Sequence, residues 1–158
     1  MKKRIRIVAA ICIAIILFIA AILYVFLRFG GNRGYSVALS ANWGVGLPLD
    51  SDVYELFQMD SGASFHGDGI RYHVFASRSG RDSFAQMLPW TDSCPNTIHG
   101  LACSWALNEY LDELEVPESD RPSLEGGRWW YDSKNRMDEI IVWQDTANHR
   151  IYIVESFI

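Results

Sequence analysis

The 158-residue chain contains no G-x-S-x-G elbow, no H-E-x-x-H, no P-loop and no G-x-G-x-x-G opening a helix. Those absences argue against elbow-type serine hydrolases, zincin proteases, P-loop NTPases and dinucleotide-binding oxidoreductases. Cysteine is scarce, with three in all. Neither Cys94 nor Cys103 has a further Cys or His pair at zinc-finger spacing. Internal repeats and low-complexity stretches are missing too. Positive charge is short beyond residue 28, where nine basic residues face nineteen acidic ones, a balance of −10. A domain so charged repels phosphate backbones, which argues against a nucleic-acid partner. It also avoids lying flat on an anionic bilayer.

What is present begins with Ile7 to Leu27, an unbroken apolar run. At about 1.5 Å per residue in a helix it reaches roughly 31 Å, the thickness of a hydrocarbon core. Lys2, Lys3, Arg4 and Arg6 precede it, and cytoplasmic flanks are enriched in such cations. A cleaved signal peptide has a shorter apolar region of about 7–15 residues and ends at a small-residue site. Arg28-Phe29-Gly30-Gly31-Asn32-Arg33 offers no such site, so the run reads as an uncleaved anchor with Cys12 a thiol buried in the membrane. The expected organisation is a cytoplasmic basic tail over 1–6, a transmembrane helix over 7–28, a Gly-rich stalk over 29–35 and an extracytoplasmic domain over 36–158.

Within that domain the pattern is α+β. Val53 to Met59 is apolar and β-prone. Ile70, Tyr72, Val74 and Ala76 alternate with Arg71, His73 and Phe75, a half-buried strand pattern. Between these runs Asp68-Gly69 signals a tight turn, so a hairpin with its tip at Gly67–Gly69 is expected. Thr97 to Val116 reads as the only long helix beyond the stalk, with Leu101, Trp105, Leu107, Leu111 and Leu114 on the core side and Pro117 as its stop. Arg128 to Tyr131, Glu139 to Gln144 and Arg150 to Phe157 read as strands joined by short turns, which force antiparallel neighbours. The expectation is a twisted antiparallel sheet with one packed helix. Ile140 to Trp143, apolar on both faces, should lie in a central strand.

Several residues are candidates for chemistry. Cys94 and Cys103 form an even pair, expected to be a disulfide in an oxidising compartment and worth about 2–3 kcal/mol. His66, Asp68 and His73 lie around one turn and include good zinc-ligand types. The simpler reading is a turn-shaping Asp with two histidines at the core edge, and no metal or other cofactor is expected. Trp129-Trp130-Tyr131 suggests a sugar-stacking platform, but strand alternation sends Trp130 away from its neighbours, so one side should fill the core. Trp43 and Trp90 sit in loop-like contexts and should be partly exposed.

The run Asp60-Ser-Gly-Ala-Ser-Phe-His-Gly-Asp-Gly69, then Met87-Leu88-Pro89-Trp90, Trp129-Trp130-Tyr131-Asp132 and the pair Ile140–Asp145 and Arg150–Glu155 form a pattern. It resembles a group of small, mostly uncharacterised bacterial proteins with an F-x-G-D-G turn, a later L-P, an aromatic strand and a C-terminal hairpin. The resemblance covers Asp60 to Glu155 and implies the fold without an activity. It marks Phe65, His66, Gly67, Asp68 and Gly69 as a possible binding turn. Together these features describe a membrane-anchored binding or interaction module rather than an enzyme, partnered by the membrane and by another envelope protein. Two alternatives stay open. One is a tethered hydrolase with a metal at the hairpin tip. The other is an accessory subunit whose apolar helix pairs with a membrane partner through Ala9, Ala10, Ala14, Ala20 and Ala21.

Overall fold

A computed structural model of the chain describes residues 13, 15–20, 32–48, 52–62, 68–80, 82–135 and 137–158. Residues 13 and 15–20 are helical, and their apolar side chains are exposed. The rest of the expected transmembrane run and the basic tail lie outside the described residues. Among the described residues no helix is long and apolar enough to cross a membrane.

The first well-packed element is a helix, α1, Asn32–Trp43. It begins inside the segment expected to be a stalk, and it makes a second helix where one was expected. Gly34, Ser36 and Ser40 are poor helix formers, each costing up to about 1 kcal/mol. Leu39 is fully buried and Trp43 nearly so, and burying one large apolar side chain returns about 1.5–3 kcal/mol. Tertiary packing therefore outweighs local propensity here. Tyr35, Leu39 and Trp43 stand four residues apart, the spacing of one helical face. Gly44 closes the helix at φ 70° and donates its N–H to the Ser40 carbonyl at 2.9 Å, the left-handed conformation glycine adopts without a Cβ clash.

Five strands follow: β1 Val53–Asp60, β2 Gly69–Ser77, β3 Arg128–Lys134, β4 Asp138–Asp145 and β5 Arg150–Phe157. Between β2 and β3 lie the helix α2, Cys103–Glu113, and a short 3-10 turn, Glu118–Asp120. The sheet order is β1-β2-β5-β4-β3, with every pair antiparallel. The order of strands and helix over 53–157 is the expected one, and the class is α+β. β4 is interior, and β5 is the middle strand.

Strand alternation divides the apolar residues into two cores. One joins Ile70, Tyr72, Val74, Ile141, Trp143, Tyr152 and Val154 to Cys103, Ala106, Leu107 and Leu111 of α2. The other joins Phe75, Ile140, Val142, Ile151 and Ile153 to Leu39 and Trp43 of α1 and to Phe84 and Leu88 of the loop after β2. The sheet is thus the middle of three layers. This explains why β2, expected to be half-buried, is buried over most of its length. Trp129 fills the α2-side core and Trp130 packs against the other. Trp43, expected to be partly exposed, is buried.

The α2 boundary also departs from expectation. Residues 97–102 form a small turn instead of helix. Thr97 and Leu101 share a backbone bond of 2.7 Å, Asn96 and Ala102 form an isolated bridge, and Gly100 sits at φ 77°. The helix starts at Cys103, and its buried face runs through Cys103, Ala106, Leu107 and Leu111. Leu101 and Trp105, expected inside, are 42% and 50% exposed.

Candidate functional site

The expected pairing of β1 with β2 exists, and Gly69, expected at the hairpin tip, lies in a strand. Phe65, His66 and Gly67 lie outside the described residues. Gly69 is the first residue of β2 and pairs with Phe157, so Asp68-Gly69 does not form a two-residue turn. Among the described residues of this loop, Gly62 has a positive φ, at 82°. Gly69 is needed for another reason: a Cβ there would lie 2.9 Å from the Gly62 carbonyl oxygen and 3.0 Å from Ser61 Oγ. Ser61 ties the loop to β2, its N–H donating to the Ile70 carbonyl and its Oγ accepting from the Ile70 N–H, each at 2.9 Å.

This loop forms one wall of a cleft of about 490 Å³. Ser61, Gly62, Asp68 and Gly69 face Tyr110 and Glu113 of α2, and Ser156 and Phe157 of β5 form the third side. Among the described lining residues there is no His, Cys, Lys or Arg. The cleft therefore combines two carboxylates, a phenol and hydroxyls, a set that accepts hydrogen bonds and favours positive charge.

Behind Tyr110 lies Glu139, a carboxylate only 3% exposed. It accepts from the Tyr110 hydroxyl and, at 3.0 Å, from the Tyr131 hydroxyl. Tyr131 in turn accepts from the Ile98 N–H at 2.8 Å. Burial, reinforced by the bond to Glu139, pushes the Tyr110 phenol above its ordinary value. Burial does the same at Tyr131. Both therefore stay protonated as donors, and Tyr110 is held in one place where it borders the cleft.

The candidate metal residues do not meet. His73 Nδ1 lies 2.6 Å from Glu55 Oε1, and its ring stacks on Tyr35 with centroids 3.7 Å apart. That places His73 on the α1 side of the sheet, whereas Asp68 borders the cleft beside α2. Among the described residues no group of three or more His, Cys, Asp or Glu side chains is arranged to hold a metal ion. His66 lies outside them.

The expected bridge between Cys94 and Cys103 is not made in this structure; both are free thiols, Cys94 exposed and Cys103 buried. The sulfur of Cys94 accepts instead from the Ser104 N–H at 3.2 Å, one of the amides that the start of a helix leaves without an internal partner. The flanking Ala102 has no side chain to satisfy it.

Sequence reasoning placed Asp68 and Gly69 at the site but missed Tyr110, Glu113, Glu139 and Ser156. Tyr110 and Glu113 stand three apart on a helix, a spacing that shares a face, so that pair had a local signal. Glu139 and Ser156 face each other through strand register alone. Comparison of the chain with protein-family models, curated proteins and solved structures gave no match.

Proposed function

We propose that this chain is a single-pass, membrane-anchored binding module, with its N-terminus cytoplasmic and its α+β domain outside. The charge-flanked run from Ile7 to Leu27 supports the anchor, and the cleft supports the binding role. The ligand suited to it is small, polar and positively charged, such as an amine. The observation that carries this reading is the meeting of Asp68, Glu113 and the Tyr110 phenol in the lining of one cleft. Tyr110, fixed by Glu139, supplies a polar atom of fixed position, which a specific site needs.

Two measurements test this. Thermal shift of the full-length chain against matched panels of small amines and small carboxylates should show stabilisation by amines alone, as ligands that bind only the folded state raise its stability. Glu113→Gln should abolish that shift while leaving the unliganded melting temperature nearly unchanged. Stabilisation by carboxylates, or an amine effect that survives in Glu113→Gln, sinks the cleft reading. Protease shaving of intact cells carrying tagged protein tests the orientation. A domain that stays protected until the membrane is opened contradicts it.

A further inference from the structure

Cys94 and Cys103 are held together by backbone structure that does not involve their side chains. The Asn96–Ala102 bridge and the 2.9 Å bond from the Cys103 N–H to the Pro95 carbonyl fold the intervening segment back on itself. The Cys94 sulfur then rests on the Ser104 amide, the peptide nitrogen bonded directly to the carbonyl carbon of Cys103. The two thiols sit in opposite environments. Cys94 is exposed beside the first turn of α2, where its sulfur accepts from the Ser104 N–H at 3.2 Å and its thiol donates to the Pro95 carbonyl at 3.6 Å. Cys103 is 0% exposed in the α2-side core. Burial pushes its thiol up to about 12, with the nearby charges of Cys94 and then Glu139 adding to the effect.

An exposed thiol on a helix amide beside a buried, protonated one is an asymmetric pair. A purely structural bridge does not require that asymmetry, whereas thiol–disulfide exchange uses it, because the attacking and resolving sulfurs have different tasks. We infer that Cys94 and Cys103 form a reversible exchange couple, with Cys94 the attacking sulfur and Cys103 the resolving one.

The step balances as follows. The Cys94 thiolate attacks one sulfur of a substrate disulfide, forming a mixed disulfide and releasing the first substrate thiolate, which takes up a proton. Cys103 then loses its proton and attacks the Cys94 sulfur. The bond between Cys94 and the substrate breaks, and the second substrate sulfur leaves and is protonated. Two thiols of this chain are oxidised to one disulfide, and one substrate disulfide is reduced to two thiols. The substrate class is a disulfide, either of low molecular weight or carried on a polypeptide.

The test uses the reduced full-length chain, with alkylation resolved by peptide so that Cys12 is counted separately. In the wild type, Cys94 should be alkylated about tenfold or more faster than Cys103. Oxidised glutathione and a disulfide-linked peptide serve as the two probes. Reaction at Cys94 with either supports the couple, and the faster probe identifies the source of the substrate. Cys103→Ala should accumulate the mixed disulfide at Cys94, whereas the wild type should pass on to the Cys94–Cys103 bond. Equal alkylation of the two thiols overturns the assignment. So does an internal bond that persists in about a hundredfold excess of reduced glutathione, as expected of a permanent staple. Both of these outcomes are read in the wild type, so the inference stands or falls even where Cys103→Ala does not fold.

Discussion

The two faces of the sheet solve the same problem with one device and end in different places. On each face a helix is tied down by a buried glutamate that accepts hydrogen bonds from aromatic donors. On the α1 face Glu155, 1% exposed, accepts from the Tyr35 hydroxyl at 2.9 Å and from Trp43 Nε1 at 2.7 Å. Both donors come from the helix. On the α2 face Glu139 accepts from Tyr110 of the helix and Tyr131 of β3. The α1 anchor is the more enclosed: Tyr35 also stacks on His73 and Phe75, and burial, with the Glu155 charge next, holds its phenol well above the ordinary value. The α2 anchor stands at the edge of a cleft that Tyr110 lines. A carboxylate serving only structure is thus sealed, while the one beside the candidate site keeps a partner that a ligand can reach.

The most severe way to break this comparison is to remove the sealed carboxylate. Glu155→Leu leaves the buried Trp43 Nε1 and the partly buried Tyr35 hydroxyl without an acceptor, each costing about 1–3 kcal/mol, and should destabilise the domain by roughly 2–5 kcal/mol in a denaturant titration. Glu139→Leu should cost less, about 1–3 kcal/mol, because its two tyrosines are only partly buried and can turn to water. Equal losses would show that the two anchors do not differ in solvent access.

Gly69→Val should cost about 1–3 kcal/mol through overpacking against the Gly62 carbonyl, and it should also weaken amine binding, because the loop wall must move. Gly44→Ala, at the end of α1, should cost about 1 kcal/mol by strain at positive φ without touching the cleft. A Gly69→Val protein that binds as the wild type does would detach the loop wall from the site.

The smallest effect sharpens the contrast between buried and exposed carboxylates. Asp52 accepts from the hydroxyls of Ser77, Ser79 and Ser83 and from the Ser79 N–H. The Ser77 bond, followed by that of Ser79, lowers its pKa from 3.8 to about 2. A depressed carboxylate contributes stability above its unfolded pKa and loses it as the pH falls through the folded one. The contribution should therefore be intact above about pH 4 and fade towards pH 2. Asp52→Asn should remove that acid-dependent part of the pH–stability curve, and an unchanged slope between these values would contradict it.

How far the sequence could be read depends on the range of the forces involved. The strands were legible because alternation over 70–76 and the apolar stretch 140–143 reflect burial along a single strand. The turn between β4 and β5, read at Asp145–Asn148 and formed by residues 146–149, was legible because a short polar connection permits only an antiparallel return. α1 was not read because Gly34 and Ser36 hide the Tyr35, Leu39 and Trp43 stripe, and its acceptor Glu155 lies more than a hundred residues away. α2 was read too long at its start because Leu101 and Trp105 fit the helical period, while the turn closed by Thr97 and Gly100 takes them out to solvent. Of the site, Asp68 and Gly69 were marked from the turn motif, but for a conformation that Gly69 does not adopt.

By itself the sequence determined the α+β class, the order of the strands and of α2, the residues that alternate between two faces, and the separation of a basic, apolar N-terminal segment from an acidic remainder. These follow from local periodicity and from counting charge, which need no knowledge of distant contacts. Tertiary structure alone decided that β5 lies in the middle, that α1 covers the second face, and that Glu155 and Glu139 are sealed in. It alone also brought Tyr110, Glu113 and Ser156 into one cleft with Asp68 and set Cys94 on the Ser104 amide of α2. Each of these is a meeting of segments far apart in the chain, or of a side chain with a backbone group at a helix end. Such meetings are fixed by register and packing, whose energies appear only when the whole sheet is assembled.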